Sequence, residues 1–513
     1  MNTFTDMRAP LSHLEDRLED VDTEFFLENE PIKSTFVNAS NVGEAMDRLA
    51  KVENFEDQYT SLALSAIVKY EMPITRYHND TTTISFYGEY DIDKMELSEE
   101  EKETLLHIEK GYNKDNRPGS NQVVVGQVTN EYGIPMVSKT LDGATSDVKW
   151  NRMAIEYVQQ LQSSGFKQGV FVADSKLMTE EDITTMNNPD SPIQFVSRCP
   201  ANFNEKLESR MIFKAYENGQ WQEMGTYGKG KDATGYKGIS FIEEVYGTPT
   251  RLLVLESDTL KHSAEAAFLK KEAELKSLIE SLEKTKWACQ EDAENEKNRF
   301  LTKKTLAYFD CDIQIEKQVT EKWPRGRRGP KTKPQLEESY HLHVAAVSKN
   351  ETICRDFMYT ESCIVLISNV IEGMNDDELI KTYKGQHIVE NSFRALKSPQ
   401  LASVIYLKKP GRVKVLTMLL TFSLLVRALI QYRLRVGLKD YTEKNPQVVL
   451  RAGWGGRILE RPTFKLFYEH AVNCYFERIS WNEYRFEWPT VETRVRVEPL
   501  LMLLGLSLKQ LIE

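Results

Sequence analysis

The sequence has few cysteines, and none of the six in its 513 residues stands in a Cys-x-x-Cys pair. That spacing argues against a disulfide framework and against a zinc site, and it favours a reducing compartment such as the cytoplasm. The first residues lack the apolar stretch of a signal peptide. The longest apolar run, 415–426, is interrupted by two threonines and a serine and is too short to span a bilayer. It predicts a buried helix and no membrane partner.

The chain also lacks an excess of basic residues, because its formal net charge is −11. By itself this charge argues against a nucleic-acid partner. The charges are unevenly distributed, however: acids crowd the range 15–30, whereas no acid lies between Glu390 and Asp440, a stretch with ten basic residues. Such a stretch suits a DNA phosphate backbone. The alternative interpretation is a basic face that pairs with acids of the same chain, and the sequence leaves both open.

The hydrophobic pattern predicts three antiparallel strands, a helix and a fourth strand. Their ranges are 74–90, 122–129, 134–140, about 149–163 and 170–173. Asp80 lies on the first of these strands and Asp174 follows the fourth. This β-β-β-α-β order is that of an RNase H-like core. The predicted fold class is therefore α/β, a mixed sheet flanked by helices.

The alternation of strands and helices stops after about residue 190, which predicts a β-rich insertion domain over 191–375. A long charged helical segment is predicted within it, over 261–305. Phe268, Leu275 and Leu282 recur there every seven residues, which indicates a helix packed on a partner or on itself. From 375 to about 436 the chain is predicted to be helical again.

Five regions follow from these patterns. The outer two regions are helical: the first is a candidate for binding DNA ends, and the last is a candidate for dimerisation. The insertion splits the core, and the second part of the core carries the basic helix. The regions are 1–70, 71–190 (core), 191–375 (insertion), 376–440 (core) and 441–513.

Three acids are candidates for a catalytic site. Asp80 lies within a predicted strand, where aspartate has poor propensity. Asp174 ends an apolar strand, at the sheet edge where ligands bind in α/β folds, although an aspartate there also serves as a helix N-cap. Glu390 lies on a predicted helix whose apolar neighbours indicate partial burial. Taken separately, each acid is explained as well by a structural role as by a catalytic role.

The segment 383–397 resembles the signature of DDE-type transposases of bacterial insertion sequences, in the insertion-sequence-four superfamily. That signature is Tyr, two residues, Arg, three residues, Glu, six residues, Lys. Tyr383, Glu390 and Lys397 match it at the required spacing. Gln386 stands where the wider superfamily has Arg, as in one branch of the family. On a continuous helix these four side chains lie on one face.

Other blocks extend the resemblance over roughly residues 40–500. These blocks are 77–82, 111–118 with Gln122, 172–175 and 407–412. The resemblance implies an RNase H-like transposase in which Asp80, Asp174 and Glu390 bind two Mg²⁺ ions, with Mn²⁺ as a substitute. It implies cleavage at insertion-sequence ends and strand transfer into target DNA.

The partners implied are DNA with terminal inverted repeats, target DNA and a second copy of the chain in a synaptic complex. The implied location is the bacterial cytoplasm, at the nucleoid. The residues predicted to contact DNA are Tyr383, Gln386, Arg394, Lys397, Lys408, Lys409, Arg412, Arg325, Arg327 and Arg328.

The last three of these arginines belong to a compact basic loop over 323–334. Its Pro-Arg-Gly-Arg sequence resembles the core of an AT-hook, whose arginines enter a narrow minor groove. The alternative is a disordered basic loop with non-specific phosphate contacts. For the whole chain, two other functions stay open: a metal-dependent DNA endonuclease without strand transfer, and a catalytically decayed DNA-binding relic.

Overall fold

A computed structural model describes most of the chain. The described residues are 33–86, 105–228, 233–323, 333–397, 407–452, 456–471, 474–480 and 483–506, with Glu15, Gly88, Tyr90, Gly230 and Arg325. The chain divides into a larger unit, 1–197 with 378–513, and a smaller unit, 198–377. The five regions inferred from the sequence stay a prediction, and most of the N-terminal region before residue 33 lies outside the described residues.

The elements up to residue 198 belong mainly to the larger unit. In chain order they are α1 (Ala39–Ala50), α2 (Phe55–Lys69), β1 (Arg76–Phe86), β2 (Glu109–Lys110), β3 (Asn121–Asn130), β4 (Pro135–Leu141), α3 (Asp147–Ser163), β5 (Val170–Val172), α4 (Glu180–Met186) and β6 (Phe195–Arg198).

The elements that follow form the smaller unit. They are α5 (Leu207–Asn218), β7 (Gln222–Tyr227), β8 (Thr234–Val245), β9 (Thr248–Ser257), α6 (Asp258–Lys284), β10 (Lys286–Trp287), α7 (Gln290–Leu301), β11 (Phe309–Lys322), β12 (Gln335–Lys349), α8 (Glu351–Ser362) and β13 (Cys363–Ser368).

The remaining elements return the chain to the larger unit. They are α9 (Asp376–Lys384), α10 (His387–Leu396), α11 (Pro410–Lys444), β14 (Arg451–Ala452), β15 (Arg457–Ile458), α12 (Phe464–Ala471), β16 (Tyr475–Ser480), β17 (Glu483–Glu487) and α13 (Val491–Leu503). The two short hairpins, β14–β15 and β16–β17, contradict the prediction that this C-terminal region is helical.

The sheet of the larger unit is mixed. Its strands lie in the order β2-β3-β1-β5-β6, with β4 also paired to β3. β1 is antiparallel to β3, whereas β5 is parallel to both β1 and β6. The fold is therefore mixed α/β.

Helices cover both faces of this sheet, which is why β3 is buried along almost its whole length. Val123 and Val125 belong to a cluster with apolar residues of α10 and α11. Side chains alternate along a strand, so Gly126 faces the other way. There it meets Trp150 of α3, whose indole donates a hydrogen bond of 2.6 Å to Asn79 on β1.

Helix α11 contains the apolar run that the sequence assigned to a buried helix. It packs against α1, β4, α10 and α13 of the same unit. Within the described part of the chain, α11 is the one helix long and apolar enough to cross a membrane by length and composition, and 44% of its most apolar window is buried in the fold. A core helix of a soluble protein passes the same test.

The smaller unit contains an antiparallel sheet of order β13-β9-β8-β7 and a long hairpin, β11–β12, extended by β10. The single helical segment predicted over 261–305 is wrong, because β10 separates α6 from α7 and pairs with β12 through Trp287. The seven-residue repeat of apolar side chains packs onto this hairpin, with Leu275 and Leu282 buried. The apolar repeat of α6 therefore packs on another part of the same chain, the β11–β12 hairpin.

Replacing Gly126 with alanine should destabilise the larger unit, because the added Cβ would lie 2.3 Å from the buried ring of Trp150. Overpacking of this kind costs about 1–3 kcal/mol. Urea unfolding followed by tryptophan fluorescence measures the loss. Gly411→Ala is the control, since its Cβ meets only the Ala50 methyl at 3.1 Å. Equal stability of the two variants would contradict the packing described for α3.

Candidate active site

Asp80 lies in the middle of β1, flanked by buried neighbours on both sides. Its own side chain is 22% exposed. One carboxylate oxygen accepts a hydrogen bond of 2.7 Å from the backbone N–H of Thr81. The strand therefore holds a carboxylate at a small opening in an otherwise buried sheet.

Asp174 lies beside Asp80 because of strand register. β5 is parallel to β1, and Val172 is the partner of His78. Asp174 and Asp80 are each two residues beyond that pair. Asp174 also accepts a hydrogen bond of 3.0 Å from the Lys176 N–H and caps a short 3-10 turn. Asp174 therefore caps this turn, which is the structural role that the sequence had left open. It also lies next to Asp80, the first acid.

A lysine and a third aspartate complete this cluster. The Nζ of Lys114 lies 3.3 Å from the carboxylate of Asp80 and 3.2 Å from that of Asp147. It also donates hydrogen bonds to the carbonyl and the hydroxyl of Thr81, at 3.0 and 2.6 Å. The Thr81 hydroxyl in turn donates to Asp147. One ammonium thus bridges two carboxylates.

Burial controls the electrostatics of the cluster. Burial raises the pKa of Asp80 to about 6; the charge of Asp174 adds to the shift and Lys114 opposes it. Burial and the charge of Asp147 raise the pKa of Asp174. Burial lowers the pKa of Lys114, but the two carboxylates outweigh burial and raise it above its ordinary value. These groups sense one another's charges, which is typical of a site that binds cations.

Glu390 lies on α10 and is exposed, whereas its neighbours Val389 and Phe393 are buried in the core. α10 packs against both β1 and β3. In the part of the chain that the structure describes, no hydrogen bond or ion pair joins Glu390 to Asp80 or Asp174. The first two acids of the predicted triad are thus brought together, and the third lies on a helix that packs on β1, the strand of Asp80, and on β3.

The transposase-like signature does not occupy one continuous helix, so the prediction of a single face is wrong. α9 ends at Lys384 and α10 begins at His387. A Cβ at Gly385 would lie 2.7 Å from the ring of His78, so the backbone turns there in close contact with β1. Gln386 donates a hydrogen bond of 2.6 Å to the Asn79 carbonyl, next to Asp80. This residue, predicted to contact DNA, here ties the helix junction to the strand.

The other residues predicted to contact DNA have varied environments. Lys397 pairs with Asp115 at 2.6 Å, and Lys409 and Arg412 both bind Asp47 of α1. These pairs match the alternative in which basic residues bind acids of the same chain. Tyr383 is half-buried; Arg394, Lys408 and Arg325 are exposed; Arg327 and Arg328 lie outside the described residues. The DNA contacts stay a prediction.

The oxygen donors of Asp80 and Asp174 are of the kind that Mg²⁺ prefers. Within the described ranges, however, no group of three or more His, Cys, Asp or Glu side chains is arranged to hold a metal ion. Lys114 supplies positive charge to Asp80 and Asp147 instead. The donor chemistry therefore fits a divalent cation at Asp80 and Asp174, and the approach of a third ligand would complete the site.

Sequence reasoning missed both Lys114 and Asp147. Lys114 lies within the block 111–118 that resembles the transposase family, so a signal for it was present. Asp147 follows Ser146, the N-cap of α3. An acid in the first turn of a helix is commonplace, because it complements the helix dipole, and nothing in the sequence distinguished this one.

Comparison with known proteins gives matches among solved structures. No protein-family model and no curated protein matches the chain. Among solved structures, the cryo-EM structure of a piggyBac transposase synaptic complex with hairpin DNA matches with a TM-score of 0.36 and 8% identity. The match covers 83% of this chain and 63% of that one, so the chain spans less than two thirds of that transposase's length. Similarity at this level assigns neither a family nor an activity.

The raised pKa of Asp80 predicts a pH dependence of stability. Between about pH 4 and pH 6 the folded protein keeps a proton on Asp80 that the unfolded chain releases. Unfolding free energy should therefore fall as pH rises through this window, by at most about 3 kcal/mol relative to Asp80→Asn. Urea titrations of both proteins at several pH values, with a chelator present, measure this difference. Parallel curves would contradict the assigned pKa.

Lys114→Met tests the role of the ammonium in the same experiment. Because Lys114 opposes the upward shift, its loss should raise the pKa of Asp80 above about 6 and extend the window of falling stability to higher pH. Lys149→Met is the matched control, since Lys149 is exposed in the first turn of α3. If both lysine variants kept the wild-type pH profile, the contact of Lys114 with Asp80 would not hold in solution.

Proposed function

We propose that the chain is a DDE-type DNA transposase with an RNase H-like core, which cleaves DNA at insertion-sequence ends and joins them to target DNA. One observation carries the proposal: Asp80 and Asp174 lie side by side on neighbouring parallel strands and are electrostatically coupled. Glu390, within the transposase-like signature, lies on the helix that packs across β1 and β3.

The topology supports this proposal. The antiparallel strands β1 to β4, of which β2 is only two residues long, are followed by helix α3 and the parallel strand β5. The first acid lies on β1 and the second directly after β5. This order is the one expected of an RNase H-like core, in which acids from separate segments meet at one sheet. The 198–377 unit then separates the second acid from the third along the chain.

Asp80, Asp174 and Glu390 would hold Mg²⁺ ions in this proposal. When bound, the ions would polarise the attacking and leaving oxygens of an in-line phosphoryl transfer. The protein's own groups set the conditions for this chemistry. Lys114 neutralises part of the negative charge around Asp80, and the Gln386 hydrogen bond fixes the α9–α10 junction beside the strand.

Lys397 and Tyr383 would contact the DNA backbone near Glu390. Lys397 binds Asp115 in the free protein, and both side chains are partly exposed. An exposed ion pair of this kind is worth less than about 1 kcal/mol, so a phosphate can replace the carboxylate at little cost. The proposal also includes a homodimer in the synaptic complex and a location in the cytoplasm, at the nucleoid.

Glu390→Gln should abolish Mg²⁺-dependent nicking of a DNA that carries the inverted repeats flanking the gene. Glu390 is exposed, so the change should leave folding and DNA binding intact. A loss of 10²-fold or more is expected for a group that stabilises charge in the transition state. Nicking by purified protein, beside thermal unfolding, measures both effects. Glu156→Gln, an exposed glutamate of α3, is the matched control and should cut normally.

A Glu390→Gln protein that folds, binds DNA and still nicks at the wild-type rate would refute the proposal. A strand-transfer assay with a labelled DNA end and a plasmid separates the transposase from the endonuclease. Nicking without joined product would favour the endonuclease, and DNA binding without nicking by the wild-type chain would favour the relic.

A further inference from the structure

A basic cavity of about 230 Å³ opens on the side of α10, within the larger unit. Its walls come from the β3–β4 turn, from α10, from the middle of α11 and from residues 461–465. None of the residues that face it was among those predicted to contact DNA. We call this cavity the arginine pocket, after Arg427, Arg435 and Arg461, which line it.

The guanidinium groups in the arginine pocket are poorly compensated. Arg427 lies over the ring of Phe464, 4.7 Å from its centroid, and Arg435 donates only to the Pro462 carbonyl at 3.3 Å. No carboxylate of the described residues forms an ion pair with Arg427, Arg435 or Arg461. Burial, and to a smaller extent the charge of Arg461, lower the pKa of Arg435 to about 10. Arg427 and Arg435 are partly buried, and partly buried guanidinium groups without an acidic partner are costly unless an anion joins them.

Lys465 and Glu131 are the other charged side chains among the described residues of the lining. Lys465 pairs with Glu469 at 3.5 Å. Among the described residues, Glu131 is the one carboxylate of the lining. One of its oxygens accepts hydrogen bonds from the N–H and hydroxyl of Thr75, and the other is buried without a hydrogen-bond partner. The cationic side chains therefore outnumber the acids, and their donors are available to a ligand.

A tetrahedral oxyanion is the ligand that this arrangement suits. Guanidinium groups bind phosphate through paired, charge-assisted hydrogen bonds. The volume is below the roughly 300–1,000 Å³ typical of pockets for drug-sized ligands. It is consistent with one phosphate group and the atoms beside it.

Helix α10 connects the arginine pocket with the candidate active site. His387, Ile388 and Asn391 face the pocket, and Glu390 lies next to Asn391 in the same helix turn. Residues one apart on a helix differ by about 100° around its axis. A DNA strand whose scissile end approached Glu390 would therefore have backbone phosphates on the adjacent side of α10.

We infer that the arginine pocket binds a phosphodiester of the DNA backbone, which holds the strand along α10 beside Glu390. This inference rests on the proposed function and adds a specific anchoring site to it. The binding step forms hydrogen bonds and ion pairs only and requires no cofactor.

Two variants and a control test the inference. Arg461→Gln removes an exposed charge, and the double change Arg427→Gln with Arg461→Gln removes two. Arg457→Gln is the control, because Arg457 is exposed and does not line the cavity. Glu131→Gln should act in the opposite direction, since it removes the single carboxylate of the lining and keeps an acceptor for Thr75.

The probes are inorganic phosphate and a double-stranded DNA fragment. Phosphate should raise the melting temperature of the wild type above that in chloride of equal ionic strength. This gain should shrink in the arginine variants and grow in Glu131→Gln. The double variant should bind DNA roughly tenfold or more weakly, as expected for lost hydrogen bonds to charged groups. Its slope of log affinity against log salt should fall by about 0.9, the value for one phosphate contact.

Each outcome decides the question. An unchanged salt slope with a lost phosphate effect would overturn DNA as the ligand and leave free phosphate as the occupant. No change in either measurement, or equal losses in Arg457→Gln, would overturn the site. If the slope fell as expected but the wild type never nicked DNA, the arginine pocket would stand and the proposed function would fail.

Discussion

The burial of Asp80 within β1 is the constraint on which the candidate active site depends. A carboxylate in the middle of a buried strand loses most of its hydration, and ionised groups inside proteins require compensation. Lys114 and the N–H of Thr81 supply this compensation to Asp80. The Lys114 ammonium also forms an ion pair with Asp147. Burial nevertheless raises the pKa of Asp80 to about 6, because it outweighs the opposing effects of Lys114 and Thr81.

Helix α10 links the core to this site. Val389 and Phe393 anchor it in the apolar cluster beneath the sheet, which leaves Glu390 on the exposed side. Its first turn is tied to β1 through Gln386 and the close approach of Gly385 to His78. Because the helix is fixed at both places, one side of it is held against β1, the strand of Asp80, and another side forms a wall of the arginine pocket.

The basic residues after Glu390 have two different roles. Lys409 and Arg412 bind Asp47, and Lys414 lies 3.4 Å from Glu56, so these cations fasten α11 to α1 and α2. Arg427 and Arg435, further along the same helix, meet no carboxylate of the described residues. Pairing with acids of the same chain therefore describes the first part of α11. For the second part, contact with DNA phosphate stays a prediction.

The sequence predicted the main strands and helices of the core, because alternating and helical apolar patterns report directly on which faces are buried. It also singled out Asp80, Asp174 and Glu390 as candidates, through their positions and the signature around Glu390. It did not predict the break near Gly385 that divides that signature between two helices, the contacts of Lys114 with Asp80 and Asp147, or the cavity lined by three arginines. These features depend on contacts between residues distant along the chain, and local patterns carry no information about which distant charges meet.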